Sequence, residues 1–391
     1  MTSISAILNQ LEGSLKKFFR LTSAKVNKTF VIDIMEVLLL YLILPQRINF
    51  TQLARFGQRG EQTYRNLYSR KFDWLSLNIY IAKEWFFKNN NGSKAIAIDP
   101  SYISKSGKHT HGLGYFWSGV AGMAKYGLEI LGISLIETEA HQSMHLLAKQ
   151  TPCSSMLEEK GKNLTAHYLE VIQDNMEKLK EISNIIVADA WFSKLPFVDG
   201  LQKIGFVLVS RFRNDAALKY LYKGEKTGKR GRPKKFAGKI NASDIDTEYA
   251  ELLDMPQYEE TFYCLEAYSV ALKRNIKLVI SVDKKNNRRL YFSTDTNMSG
   301  EEIVEIYRCR FQCEFNYRDA KQFTGLCHCQ ARSEEKRHFA FNASLTAVNL
   351  AKVICKQNNW DYSIAKVKLL MFRAYQMNRF YSSLESDRTS T

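Results

Sequence analysis

Residues 299–325, SGEEIVEIYRCRFQCEFNYRDAKQFTG, form the stretch from which the rest of the chain can be interpreted. Ser299 is followed three positions later by Glu302, which is the pattern of a helix-capping box. Gly325 is the kind of residue that commonly ends a helix. The stretch is therefore predicted to be one long helix between these two signals.

One face of this helix carries polar and charged side chains. At about 100° per residue, four of them fall within an arc of roughly 60°. They are Tyr307, Arg310, Glu314 and Lys321. The adjacent stripe, Val304, Phe311 and Phe315, is apolar and is predicted to face a core. A carboxylate suits a metal ion and basic groups suit phosphate oxygens, so the helix favours phosphodiester chemistry.

The whole chain has the composition of a basic globular protein. Its 391 residues are enough for two or three domains, and 45% apolar with 25% charged residues excludes wholesale disorder. The formal net charge is +16, and the basic residues are spread along the chain rather than gathered in a tail. A nucleic-acid-binding surface is the first interpretation, with a membrane surface or a merely soluble basic protein as alternatives.

Three features predict a cytoplasmic protein. The N-terminal stretch contains Glu12 and lacks a small-residue cleavage site, so it does not read as a signal peptide. The most apolar run, residues 37–44, is too short to span a bilayer. Seven cysteines, an odd number in a large chain, indicate reduced thiols.

Residues 1–90 are predicted to be a helical DNA-binding domain. Two short helices around a turn at residues 57–60, with Asn49 capping the first, are typical of a helix-turn-helix. The second helix would bury Tyr64 and expose Arg65, a side chain that reaches phosphates and base edges. The alternative is an ordinary helical hairpin with a solvated basic face.

Residues 91–211 mix strand-like and helical runs, which predicts an α/β sheet. Two apolar strands, at residues 94–100 and 184–189, end in Asp99 and Asp189. Because polar groups at the carboxyl ends of such strands gather at one edge of a sheet, the two carboxylates are expected to lie together. The alternative is that each aspartate only caps a helix or closes a turn.

Residues 212–298 read as a β-rich insertion with a basic loop at its front. Arg230 and Arg232 in this loop flank a glycine, in a pattern that resembles an arm entering the DNA minor groove; the alternative is a solvated surface loop. The catalytic core is predicted to resume at residues 299–345. Residues 346–391 are predicted to be a helical region and are a candidate for dimerisation.

The three acids Asp99, Asp189 and Glu314 suggest a catalytic centre. Two-metal phosphoryl transfer uses carboxylates that hold two divalent ions about 4 Å apart, one at the attacking and one at the leaving oxygen. Hard oxygen ligands suit Mg²⁺, which also takes phosphate oxygens as ligands. Two strand ends and one helix would supply such a set.

These residues resemble the DDE transposases of bacterial insertion sequences. The matching positions are Asp99 in AIAIDPS, Asp189 in IIVADAWFS, and Tyr307-x2-Arg310-x3-Glu314-x6-Lys321. The last pattern agrees at every spacing with the Y-R-E-K signature of the IS-four type. The resemblance covers about residues 90–345. It implies a ribonuclease H-like catalytic core interrupted by the β-rich insertion.

The resemblance also implies an activity. Two Mg²⁺ or Mn²⁺ ions per site would be held by the three acids, and the enzyme would cut transposon ends and join their 3′-hydroxyls to target DNA, often through a DNA hairpin. Tyr307, Arg310 and Lys321 would hold phosphates of the terminal inverted repeat, and Trp191 could stack on a flipped base. A homodimer would pair two ends, and the protein would act at the bacterial nucleoid.

Three other functions remain open at this point. A catalytically inactive or domesticated DNA-binding protein would keep the same fold, and a ribonuclease H-like nuclease would keep the acids without the end-binding face. A zinc protein would use histidine and cysteine ligands. Its ligands would be Cys309 and Cys313 with Cys327, His328 and Cys329, or else His141 with His145.

Overall fold

The structure of the protein is a computed structural model that describes residues 13, 16–18, 28–224 and 234–389. Twelve β-strands lie within these ranges. They are β1 Lys94–Ile103, β2 Gly114–Ser118, β3 Met123–Glu137, β4 Gln142–Gln150, β5 Ile185–Val187, β6 Val207–Phe212, β7 Leu218–Leu221, β8 Phe236–Lys239, β9 Glu251–Leu253, β10 Thr261–Ser269, β11 Arg274–Val282 and β12 Arg288–Ser293.

The α-helices of the described residues lie before, between and after these strands. They are α1 Lys28–Ile43, α2 Phe50–Phe56, α3 Glu61–Leu67, α4 Trp74–Tyr80, α5 Ser154–Glu159, α6 Leu164–Gln173, α7 Met176–Lys180, α8 Leu195–Lys203, α9 Gly300–Cys309, α10 Gln312–Gln322, α11 Glu334–Gln357 and α12 Ile364–Thr389. A π-helical turn, Ile81–Phe86, follows α4, and a 3₁₀ turn, Ala190–Phe192, follows β5. None of these helices is long and apolar enough to cross a membrane.

The strands form one mixed sheet in the order β2-β3-β1-β5-β6-β12-β11-β10-β7-β8, with β4 paired to β3 and β9 to β10. The central strands β1, β5 and β6 are parallel, whereas β3 and β12 run antiparallel to their neighbours. A large sheet with helices at both ends of the chain confirms the predicted α/β class. Strands from the predicted β-rich stretch extend the same sheet, because β12 pairs directly with β6.

Both faces of the central sheet are buried. Successive side chains of a strand point to opposite faces, and in β1 Ile96 and Ile98 join the larger core while Ala95 and Ala97 join a smaller one. Such strands read as continuous apolar runs, as they do here. From Ala95 to Ile98, β1 therefore carries apolar side chains on both faces, and its first acid is Asp99.

The stretch from 299 to 325 forms two helices, so the prediction of one long helix is wrong. The predicted start is confirmed, since Ser299 Oγ accepts a hydrogen bond from the Glu302 N–H at 3.1 Å. However, α9 ends at Cys309, and α10 begins only after Arg310 and Phe311. Arg310 therefore lies at the junction between two helices.

The break has a physical reason in the two cores. Helix α9 packs into the smaller core through Ile303 and Ile306. Cys313 at the start of α10 still belongs to that core, whereas Tyr317 and Ala320 further along α10 belong to the larger one. One straight helix would present a single apolar stripe to a single core. Phe311, at the junction, is 50% exposed, so its predicted place in a core is wrong.

Strand β1 continues past Asp99, so the prediction that this aspartate ends its strand is also wrong. The whole of β1 pairs with the long strand β3, from Lys94 opposite Glu137 to Ile103 opposite Leu128. Pairing with β3 therefore continues through Pro100, which lies opposite Leu131. On the other side, β5 pairs with β1 only at residues 96 and 97, and Asp99 therefore lies beyond the end of its parallel neighbour.

Helix α11 covers β4 with two buried asparagines. The side-chain amide of Asn342 accepts from the N–H of Ala148 and donates to its carbonyl, and Asn349 does the same at His145. An edge strand presents unpaired backbone groups that must find partners when buried. The two amides meet that need, and they fix α11 and the sheet to each other.

Candidate functional site

Asp99 and Asp189 are brought together by the register of two parallel strands. Ala97 of β1 lies opposite Val187 of β5. Each aspartate comes two residues after this pair, so the two side chains leave neighbouring strands at the same level. Both line one cavity of about 480 Å³.

Arg310 joins Asp99 to Glu314. Its Nη1 lies 3.3 Å from Oδ1 of Asp99, and its Nη2 lies 3.1 Å from Oε1 of Glu314. The guanidinium is largely buried, and its Nε–H has no acceptor among the described residues. The Arg310 guanidinium thus pairs with two acids from distant parts of the sequence, and these two ion pairs do not use its Nε–H donor.

The environment of Asp99 disfavours its negative charge. Burial raises the pKa of the Asp99 carboxyl to about 7; the Arg310 guanidinium opposes this rise, and the carboxylates of Glu314 and Asp189 add to it. Perturbed carboxyls in a cleft are a common mark of a functional site. Additional positive charge at this position would favour the ionised form of Asp99.

Tyr317 fixes helix α10 against strand β1. Its hydroxyl donates a hydrogen bond to the backbone carbonyl of Asp99 at 2.6 Å. Gly132 lies opposite Asp99 in β3, and a Cβ atom there would overlap the Tyr317 hydroxyl. A glycine is therefore needed in β3 for the helix that carries Glu314 to approach so closely.

Lys321 and Tyr307 occupy the two ends of the same surface. Lys321 Nζ donates to Ser101 Oγ at 3.0 Å, and Ser101 follows Asp99 by two residues on the same face of β1. The Tyr307 ring lies 5.1 Å from that of Tyr291 and packs against the smaller core. Arg310 and Lys321 therefore both contact β1, Glu314 contacts Arg310, and Tyr307 is partly a packing residue.

A buried polar network holds the first turns of α10 in place. Lys352 Nζ on α11 donates to Asn316 Oδ1 and to the Ser143 carbonyl, both at 2.7 Å. Asn316 Nδ2 donates to Ser143 Oγ, which in turn donates to the carbonyl of Gln312. Asn316 follows Glu314 by two residues, so this network positions the acid without touching it.

The charge of Lys352 should give stability a measurable pH dependence. Burial lowers the pKa of Lys352 to about 8, and Asp319 only partly opposes this. Between that value and an unfolded pKa of about 10.4, the unfolded chain binds more protons than the native one, so raising the pH stabilises the fold. Relative to Lys352→Met, the free energy of unfolding of the unsubstituted protein should rise by about 3 kcal/mol across this range.

Urea unfolding of both proteins at several pH values between 7.5 and 10.5 would measure this difference. Other lysines and tyrosines also titrate in that range, but they are common to both proteins and cancel in the comparison. Parallel curves would mean that Lys352 is already solvated in the native state.

Trp191 lies beside Asp189 at the mouth of the cavity. The Asp189 carboxylate accepts from the Trp191 N–H at 3.0 Å and caps the 3₁₀ turn, as the alternative interpretation of this residue had it. The capping role leaves the other carboxylate oxygen available. Lys194 Nζ lies 3.4 Å from the centroid of the Trp191 ring, and that ring is partly exposed.

Glu129 is a fourth acid at the cavity, and sequence reasoning missed it. It is buried on β3 and accepts a hydrogen bond from the Tyr168 hydroxyl at 2.5 Å. Burial raises the pKa of its carboxyl. A single acid inside the apolar run of residues 128–136 was the available signal, because an unpaired carboxylate is rarely placed in a core.

The remaining predicted DNA contacts lie away from the cavity or outside the described residues. Asn49 caps α2 as predicted, and Tyr64 is buried. Arg65 pairs with Glu61 on its own helix, and its guanidinium lies 4.8 Å from the Phe50 ring centroid. Arg230 and Arg232 belong to the segment that the structure does not describe.

The proposed zinc ligands do not converge. Cys309 and Cys313 lie in the smaller core, whereas Cys327 and Cys329 pack against the larger one. His328 Nδ1 accepts from the Ile48 N–H, and the buried His145 contacts Asn342. Within the described ranges, no group of three or more histidine, cysteine or acidic side chains is arranged to hold a metal ion.

The acids nonetheless have the chemistry of a hard-cation site. Asp99, Asp189 and Glu314 offer only carboxylate oxygens, the ligands that Mg²⁺ and Mn²⁺ prefer. Two of them meet at one guanidinium, and two of them line one cavity. The donor types fit a divalent ion, although in this arrangement a guanidinium supplies the positive charge between Asp99 and Glu314.

Residues 148–350 match the family model described as "Transposase DDE domain". The matched range is just over half of the chain. It contains Asp189, Arg310 and Glu314, and it begins after Asp99. No curated protein matches the chain.

Proposed function

This chain belongs to the DDE transposase family, and we propose that it is a transposase of the Y-R-E-K, IS-four type that cuts and rejoins DNA at the ends of an insertion sequence. Its catalytic acids are Asp99, Asp189 and Glu314. The observation that carries this assignment is the convergence of Asp99 and Glu314 on Arg310, with Asp189 in the same cavity as Asp99. In this proposal β1 and β3–β6 form a ribonuclease H-like core.

The three acids would hold divalent metal ions, two Mg²⁺ or Mn²⁺ in the proposed site. Such ions, when bound, lower the pKa of a water molecule and neutralise charge on the phosphate. Hydrolysis would break one phosphodiester at the transposon boundary and leave a 3′-hydroxyl. That hydroxyl would then attack a second phosphodiester, so that one ester bond forms as another breaks.

The chain's own basic residues would orient the DNA for these steps. The buried Arg310 Nε–H, close to the acids, has no acceptor among the described residues, and Lys321 lies at Ser101, two residues beyond Asp99 on β1. Charge-assisted hydrogen bonds from such groups bind phosphate oxygens strongly. Holding the scissile phosphate in line with the attacking oxygen accounts for a large share of rate in such reactions.

The other parts of the chain would bind the remainder of the DNA. The proposed division is residues 1–90 for DNA binding, 91–211 and 299–345 for the core, 212–298 for the insertion and 346–391 for a helical region that dimerises. Cut-and-paste transposition by a homodimer, through a DNA hairpin, is the form of reaction that we propose. Arg65, Arg230 and Arg232 are its proposed contacts outside the core.

Incubation with Mg²⁺ and end-labelled DNA from an insertion-sequence end, read on a denaturing gel, would test this function. Nicks at one boundary, followed by joined products with a target duplex, are the expected result. Nicks at scattered positions would indicate a nuclease of the same fold. Binding without nicks would indicate a DNA-binding role alone.

Metal removal provides a further prediction. EDTA should abolish nicking, and added Mg²⁺ or Mn²⁺ should restore it, because carboxylate oxygens are the proposed ligands. A chelator selective for soft metals should leave both nicking and the far-UV circular dichroism spectrum unchanged. Unfolding under the soft-metal chelator would instead support a structural zinc site at the cysteines.

A further inference from the structure

The β2–β3 hairpin presents three exposed aromatic rings on one face. Tyr115 and Trp117 are two residues apart on β2, and Tyr126 lies directly opposite Tyr115 on β3. This register places all three side chains on the same side of the hairpin. They are 73%, 64% and 51% exposed, respectively, and the two tyrosine rings contact each other at 5.4 Å.

This aromatic face opens onto the proposed catalytic centre. Tyr115 and Trp117 line the same cavity as Asp99 and Asp189, with Trp191 also at its wall. The hairpin is anchored beside β1, since the Tyr102 hydroxyl donates to the Tyr126 carbonyl at 2.8 Å. The rings are therefore held at a fixed position next to the acids.

We propose that Tyr115 and Trp117 form a stacking platform for unpaired nucleobases of the strand that enters the cavity. This inference rests on the proposed cleavage at the same site. In this proposal, the strand that places its phosphodiester beside Asp99 and Asp189 separates locally from its duplex partner, which unstacks the neighbouring bases. The bases on either side of that phosphodiester then need new partners, and aromatic faces stack on any base.

The surroundings favour a nucleic acid over a second copy of the chain as the occupant. The rings adjoin the catalytic cavity, so a substrate strand held there would pass directly over them. Lys194 Nζ lies 3.4 Å from the ring centroid of Trp191, a third aromatic residue at this cavity. Aromatic rings together with positive charge in a basic protein are the pattern of single-strand binding surfaces.

Binding of the full chain to a short fluorescent oligo(dT) and to a blunt duplex, in EDTA so that nothing is cut, would test the platform. The double variant Tyr115→Ala/Trp117→Ala should bind oligo(dT) at least tenfold more weakly, with duplex affinity changed by less than about twofold. Trp117→Phe keeps an aromatic face and should retain most of the affinity. Met123→Ala, which truncates an exposed apolar residue of the same hairpin, is the matched control and should bind like the unsubstituted protein.

Three results would overturn the platform. The first is unchanged oligo(dT) affinity in the double variant, and the second is an equal loss of oligo(dT) affinity in Met123→Ala. The third is a lower sedimentation mass of the double variant that accounts for its loss of affinity, which would assign the face to a second copy of the chain. The test is independent of cleavage, because it measures only oligo(dT) and duplex affinity in EDTA, where nothing is cut. If the acids proved to be non-catalytic while the aromatic variants still lost oligo(dT) binding, only the proposed cleavage would fail.

Discussion

Replacement of Glu314 by glutamine should abolish DNA cleavage while leaving DNA binding intact. The loss should be about 10³-fold or more, since removing one of the proposed metal-holding carboxylates costs several kcal/mol of transition-state stabilisation and each 1.36 kcal/mol is a factor of ten. Glutamine keeps an oxygen that can accept the 3.1 Å hydrogen bond from Arg310, so helix α10 should stay in place. Cleavage of labelled end DNA and a gel-shift assay on the same preparation would measure the two effects.

Glu305→Gln is a suitable control for this substitution. Glu305 lies on α9 in the same stretch of sequence, but its carboxylate acts on Tyr258 of the β-rich region, where it helps burial to raise the pKa of that tyrosine. Its replacement should leave cleavage within about threefold of the unsubstituted rate, because surface substitutions away from a site have small effects. Cleavage retained in Glu314→Gln would remove Glu314 from the catalytic centre.

Much of the site followed from local sequence patterns. The apolar runs before Asp99 and Asp189 indicated buried strands, and the α/β class followed from their mixture with helices. The contact between Arg310 and Glu314 also agrees with the sequence pattern, because residues four apart in helical backbone are neighbours. These inferences needed only the periodicity of helices and strands.

The parts that failed depend on tertiary structure. At the break, the chain passes from the smaller core, which α9 and Cys313 at the start of α10 join, to the larger core, which Tyr317 and Ala320 join. Neither Arg310 nor Phe311 is a glycine or proline, so the local sequence gives no signal for the break. The extension of β1 past Asp99 requires the length of β3, which lies some thirty residues further along. The position of Tyr115 and Trp117 at the cavity depends on which face of the β2–β3 hairpin is turned toward it. The alternation of side chains along a strand does not determine that face.

Arg310 has a different relation to the acids from the one its sequence position suggests. As a residue of a continuous helix it would be one of several phosphate contacts along a line. At the junction it is instead paired with Asp99 and Glu314, and its Nε–H is left without an acceptor among the described residues. Two roles follow, one toward the carboxylates and one toward a phosphate, and they predict different results for alanine and lysine.

Arg310→Ala should therefore lose both roles and Arg310→Lys only one. We expect alanine to lower cleavage by about 10²-fold or more, as for other preorganised donors, and to make the slope of log affinity against log salt shallower by about 0.9, the value of one phosphate contact on duplex DNA. Lysine keeps the charge and hence the slope, but it cannot bridge two carboxylates in a fork, so its cleavage should remain low. Gel-shift titrations at several salt concentrations, with cleavage measured on the same DNA, separate the two quantities. An unchanged salt slope in Arg310→Ala would mean that Arg310 orients the acids but does not contact a phosphate. Full cleavage by Arg310→Lys would mean that a positive charge is sufficient and that the guanidinium bridge between Asp99 and Glu314 is dispensable.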